Sequence, residues 1–335
     1  MQTMKNLYAL AALGAMAVVV PAAAQSAAPL TLVTQYVLTG APAGHFDHLT
    51  IDLAGHRLFA ADEGGAVEVV STQTGRVLHA IKSEEPHDPE YHAQDGRLYV
   101  TDGSGVLRVF DGKTYTEVAS TKLWDDLDPM AFDASRNTFY TESGGGDLHQ
   151  TFSHFSTIDA RTMKLVNDLK IDGSTLEWME LSAAGPQIYL NNREKAQVTV
   201  VDRDTHQVVA NWPIHGATLN VAMAFDQADH RLFVGCRSGQ MVIFDTSKGK
   251  QLQSLPLTGG VDDMVYDPAT RRVYASADGA IDVYRQASAD QYERIVIKSA
   301  PLAKTSLLVP SLHRYYVAVP AAKDAPARIL VYKVN

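Results

Sequence analysis

The sequence predicts an all-β protein, a seven-bladed β-propeller whose blades are four-stranded antiparallel sheets. Three observations carry that expectation. One strand signature recurs seven times at spacings of about forty to fifty residues, the range of propeller blades. Each copy sits among short apolar runs in the same order, punctuated by turn residues. The last copy is one strand short, and one strand near the start of the chain belongs to no copy.

The signature Arg57-Leu-Phe-Ala60 recurs as Arg97-Leu-Tyr-Val100, Arg231-Leu-Phe-Val234, Arg272-Val-Tyr-Ala275 and Arg314-Tyr-Tyr-Val317. Weaker copies are Thr138-Phe-Tyr-Thr141 and Gln187-Ile-Tyr-Leu190. Around the first copy, residues 49–53 alternate in polarity, and Ala54-Gly55-His56 turns the chain into Arg57–Asp62. Gly64-Gly65 turns it into 66–71, and Thr74-Gly75 into 77–81. Runs rich in Val, Leu, Ile, Phe and Tyr between Gly, Asn, Asp and Ser clusters read as strands. No segment holds a long, capped 3.6-residue period, so helix is expected to be nearly absent. The last copy has strands at Ser306–Val309, 315–319 and Arg328–Val334, and then the chain ends. The unassigned run 30–38 (LTLVTQYVL) is expected to complete that blade as its outer strand. It would thereby cover an open sheet edge.

A chain of 335 residues could hold two or three domains, but closed β architectures run long as one. Residues 25–335 are read as a single propeller domain. The net charge of −9 repels phosphate backbones, so nucleic acid is not expected as a partner. A cation is easier to accept. Lys5, the apolar run 7–20, Pro21 and Ala22-Ala23-Ala24 form a secretory signal pattern, residues 1–24, with cleavage before Gln25. The run is too short and wrongly flanked to be a membrane span, and none follows. The expectation is an exported, soluble, monomeric protein, periplasmic or secreted. The single cysteine, Cys236, cannot form an internal disulfide and reads as a small buried hydrophobe.

Arg97-Leu-Tyr-Val-Thr-Asp102, Val242-Ile-Phe-Asp-Thr246 and Val261-Asp-Asp-Met-Val-Tyr-Asp-Pro268 resemble the repeats of the YVTN-type, YncE-like propeller family. The resemblance covers the chain after the leader. It implies the propeller and export, but no defined reaction, because members share none; some similar propellers are lactonases. The paired Gly-His and Trp-Asp signature of WD40 repeats does not recur, and neither do the tryptophan motifs of quinoprotein dehydrogenases.

In a propeller the first strand of each blade lines the central channel, so its first residues converge from all blades. Counting back ten from the Arg57-type position gives Asp47, His87, Asp128, Glu177, Val221, Asp262 and Lys304. Counting back nine gives His48, Asp88, Pro129, Trp178, Ala222, Asp263 and Thr305. The ligand-binding candidates are Asp47, His48, His87, Asp88, Asp128, Glu177, Asp262, Asp263 and Lys304. His45, Glu90, His92, Glu180 and Asn220 lie just outside.

Carboxylates with neutral imidazole can hold a divalent cation, Ca²⁺ favouring oxygen and Zn²⁺ nitrogen. Asp47, His48, His87 and Asp262 are the metal-ligand candidates. Without a metal, crowded carboxylates raise one another's pKa values and can act as acid and base. A channel mouth is also wet, and polarity there needs no ligand. The expected function is a binding scaffold for a small ligand, cation or protein at the mouth, without catalytic residues. The alternative is a metal-dependent, lactonase-like hydrolase using the same ring.

Other candidates carry less. Asp52, Asp133, Asp226 and Asp267, and likewise Asp159, Asp202 and Asp245, recur at turns and are expected to cap them. Gly144-Gly145-Gly146 lacks the Lys-Ser/Thr and helix of a phosphate loop. The segment 142–154 reads as a lengthened connection before strand 155–159. Ser143 with His149 or His154 is a conceivable hydrolytic pair, though spacing alone does not support it. His87 and His92 differ by an odd number and should face apart on a regular strand.

Overall fold

Strand pairing groups the described residues into seven four-stranded sheets. The computed structural model describes residues 28–144, 146 and 148–335; the leader expected at 1–24 lies outside them. Six sheets run in chain order from the channel outward, as in Phe46–Asp52, Arg57–Asp62, Ala66–Ser71 and Val77–Lys82 of blade one. The seventh takes Leu30–Val37 as its outer strand, antiparallel to Arg328–Val334. One 3₁₀ turn, Pro310–Leu312, is the only helical element among the described residues.

The core lies between blades. The second strand of each blade has a neighbouring blade over both faces, so its residues are buried without alternation. In blade one Leu58, Phe59, Ala60 and Ala61 are all fully buried, and a buried Leu or Phe contributes roughly 1.5–3 kcal/mol. The outer strands are mostly exposed, and Lys250–Pro256 of blade five alternates, because one of its faces meets water. Val221, Phe233, Met241, Val261, Val273 and Tyr284 from blades five and six form one such inter-blade cluster. The expected turn aspartates cap turns: the Gly55 N–H donates to Asp52 (2.9 Å) and the Ala269 N–H to Asp267 (3.0 Å).

Closure uses polar contacts as well as the shared sheet. The Tyr36 hydroxyl of blade seven donates to the Thr72 carbonyl of blade one at 2.8 Å. Asn335 donates through Nδ2 to the Thr31 hydroxyl at 2.8 Å, tying residue 335 to the outer strand.

The inner strands begin earlier than the alternation in polarity suggests. Blade one starts at Phe46 rather than residue 49, because its first three residues sit on a bulge. Register shifts occur at Phe46/Leu49, Pro86/Pro89, Asp128/Met130, Leu176/Met179 and Asn220/Ala222. In blade three the third strand also starts early, at Phe152, and Ser143 pairs with His154. His154 therefore belongs to a strand and not to the connecting loop.

Candidate functional site at the channel mouth

All seven positions found by counting back ten line one cavity of about 340 Å³: Asp47, His87, Asp128, Glu177, Val221, Asp262 and Lys304. The bulges explain how neighbours can share it. In a regular strand Asp47 and His48 would face opposite ways; a bulge re-aims one of them, and both line the cavity. Counting back nine gives a divided set. His48, Pro129 and Trp178 line the cavity. Asp88 and Asp263 instead turn between blades, where their carboxylates accept the Met130 N–H (2.8 Å) and the Ser306 N–H of the next blade. His45, one step outside the ring, nevertheless lines the cavity.

One side of the cavity is acidic. Asp47, His48 and Asp128 each offer a ligand atom, and these atoms lie within 4.8 Å of one another. Asp128 Oδ1 is buried without a hydrogen-bond partner among the described residues. His48 Nδ1 lies 3.1 Å from Asp263 Oδ1, and Nε2 is 3.4 Å from Asp47 Oδ1. Its ring also meets Trp178 of blade four, with centroids 4.7 Å apart, so it spans the middle of the channel.

Burial is the main force on these carboxyls. It pushes Asp47 and Asp88 up to about 7 and Asp128 well above the usual range, Asp128 further through Asp47. Burial opposes charge on the imidazoles, yet Asp47 and Asp263 hold His48 well above its usual value. Asp128 and Asp47 likewise lift His87 to about 9. His87 Nδ1 is 3.0 Å from the Leu127 carbonyl oxygen.

Three cations also line the cavity, Arg193, Arg237 and Lys304, and of these counting back from the signature finds only Lys304. Arg237 pairs with Asp262, and Lys304 Nζ lies 2.9 Å from the other oxygen of that carboxylate. Burial would raise the pKa of Asp262, but these two cations hold it below the usual value. Arg193 pairs with Glu177 at 2.7 Å. A signal for both arginines does exist in the repeats. Counting forward six from the signature gives Glu63, Gly144, Arg193 and Arg237 in blades one, three, four and five, and all four line the cavity.

Glu142 is a further residue that the ring did not include. The fifth position of the second strand is Ala61, Thr101, Asn191, Gly235, Ser276 and Ala318 in the other blades. Blade three alone puts a carboxylic acid there, opposite Asp128 in the register. Glu142 is 1% exposed, and neither carboxyl oxygen has a partner among the described residues. Burial, then Asp128 and Glu177, drive its pKa well upward.

The remaining candidates have other partners. Asp262 is engaged with two cations, and the three-residue ligand group contains Asp128 in place of His87 and Asp262. His92 bonds Glu90 at 2.9 Å and packs on Phe132 and Phe139, so it faces away from the mouth. His154 Nδ1 is held by Asp168 at 2.8 Å under Trp124, and Ser143 Oγ donates to the Trp124 carbonyl. Ser143 and His154 are strand neighbours, but no side-chain hydrogen bond joins them. Cys236 is fully buried, and burial pushes its thiol up to about 12. Gly144 and Gly146 line the cavity; a Cβ on Gly144 would overlap Asp126.

No family model and no curated protein matches this chain. Solved structures do. One chain of the crystal structure of the mitotic checkpoint complex superposes with a TM-score of 0.73 at 15% identity, covering 100% of this chain and 99% of that one. The structure of U3-55K superposes with a TM-score of 0.75 at 12% identity, covering 89% and 98%. Both likenesses establish the propeller fold and nothing finer. Among the described residues no helix is long and apolar enough to cross a membrane.

Proposed function

We propose that this is an exported binding propeller of the YVTN-repeat type, which holds a divalent cation at the channel mouth through Asp47, His48 and Asp128. The observation that carries this reading is that one ligand atom from each of Asp47, His48 and Asp128 lies within 4.8 Å of the others; a buried Asp128 oxygen without a hydrogen-bond partner among the described residues supports it. The set is two carboxylates and one imidazole, which suits a zinc-type ion with an open coordination position. Asp263 supports it, because a carboxylate on Nδ1 orients an imidazole so that Nε2 can ligate. Bond lengths near 2.0–2.2 Å require the three atoms to draw in by about 1 Å. Asp88 and Asp263 then act as positioning residues, and His87, Glu177, Asp262 and Lys304 as the surrounding wall. The leader pattern at 1–24 supports export.

Equilibrium dialysis of the full chain against Zn²⁺ and Ca²⁺, followed by elemental analysis, tests the reading. About one ion per chain is expected, with affinity falling roughly tenfold or more in Asp128→Asn. Saturation at a hundredfold excess over Kd should stabilise the fold by about 2.7 kcal/mol in a thermal melt. No retained ion, or retention unchanged in Asp128→Asn, would rule the cation out. Assay of the loaded protein with simple lactones separates binding from hydrolysis.

A further inference from the structure

The part of the cavity wall contributed by blades five to seven sets two cations around one carboxylate. Arg237 of blade five and Lys304 of blade seven share one carboxylate, that of Asp262 in blade six. Within this trio, two cations on one anion leave a surplus of one positive charge. Arg193 pairs with Glu177 at 2.7 Å; that carboxylate and Asp47 also draw Arg237, and Glu63 and Asp126 add further carboxylates to the lining. Arg237, Asp262 and Lys304 all line the cavity. They come from blades five to seven, whereas Asp47, His48 and Asp128 come from blades one and three. The cavity thus has a negative pole that offers ligands and a positive pole that offers donors.

We infer that the cavity binds a small α-hydroxy or α-amino carboxylate, its carboxylate received by Arg237 and Lys304 and its α-substituent directed at the cation. This rests on the cation reading above. A guanidinium fork and an ammonium together match a carboxylate better than either alone. A cavity of about 340 Å³ is at the small end of ligand sites. Without the cation, Asp47 and Asp128 oppose an incoming anion. With it, that opposition is neutralised, so cation and carboxylate bind cooperatively, each strengthening the other by the same factor.

Glycolate is the probe, titrated calorimetrically into the full chain with and without saturating Zn²⁺. The expected result is binding about tenfold tighter with Zn²⁺ present. Lys304→Gln leaves Arg237 and Asp262 balanced, and should weaken glycolate by about tenfold with Zn²⁺ affinity nearly unchanged. Asp262→Asn releases both cations, and should strengthen glycolate. Opposite signs in two variants are not produced by a general loss of folding. Intact Zn²⁺ binding with glycolate unaffected by Lys304→Gln, or weakened by Asp262→Asn, overturns this inference and leaves the cation reading standing. Absence of Zn²⁺ binding with Lys304-dependent glycolate binding overturns the cation reading and supports the positive pole.

Discussion

Single residues in equivalent repeat positions show how one substitution changes the local electrostatics. The sixth position of strand two and the third of strand three are Asp102 and Arg108 in blade two, an ion pair at 2.7 Å. In blade one the same positions are Asp62 and Glu68, both fully buried, with Asp62 Oδ2 and Glu68 Oε1 unpartnered among the described residues. Burial pushes Asp62 up to about 6 and Glu68 to about 7. Both hold a proton more tightly folded than unfolded. Stability is therefore fully present below the unfolded carboxyl values and falls as pH rises through the folded ones, levelling above them. Melting followed by circular dichroism should give a lower Tm at pH 8 than at pH 5. Glu68→Gln should recover on the order of 1–3 kcal/mol at pH 8, the cost of an unsatisfied buried group. A variant no more stable than the wild type at pH 8 would remove this account.

At the scale of elements, the inner strand is where repeat regularity gives way to function. Its bulges turn adjacent residues such as Asp47 and His48 into the same cavity, which no alternating pattern encodes. The second strand is set by steric limits instead. A Cβ on Gly235 would lie 2.5 Å from Met264 Sδ and 3.2 Å from Ala222 Cβ, because blades five and six approach closely there. Gly235→Val should cost about 1–3 kcal/mol through overpacking, measured by urea denaturation. Gly235→Ala should cost less, since the thioether can move aside. Equal stability of Gly235→Val and wild type would mean that the blades have room to separate.

For the whole molecule, the ring closes through the N-terminal strand. Leu30–Val37 pairs along the whole of Arg328–Val334, and the Leu38 N–H donates to the Ala327 carbonyl at 2.8 Å. Removing residues 28–38 would leave a bare sheet edge in blade seven, a template for pairing with another chain. Size-exclusion chromatography of that deletion should show self-association or aggregation where the full chain does not, with a lower Tm. A deletion that remains as soluble and as stable as the full chain would show that the third strand is a sufficient edge.

Much of this protein is determined by the sequence alone. Seven strand signatures, the four-run plan of each copy and the fit between a missing and a spare strand specify the propeller, because each reflects local burial and turn chemistry. The same periodicity brought Asp47, His87, Asp128, Glu177, Asp262 and Lys304 to one mouth by counting. The tertiary structure decided what counting could not. Arg193 and Arg237 stand sixteen residues beyond the ring positions of their own blades, and only the return of the second strand to the same rim brings them in. Asp88 and Asp263 leave the cavity to bind backbone between blades, while His48 beside them enters it. The physical reason is that the period of a strand records which face is buried, whereas a bulge and a neighbouring blade decide where a polar side chain finds its partner.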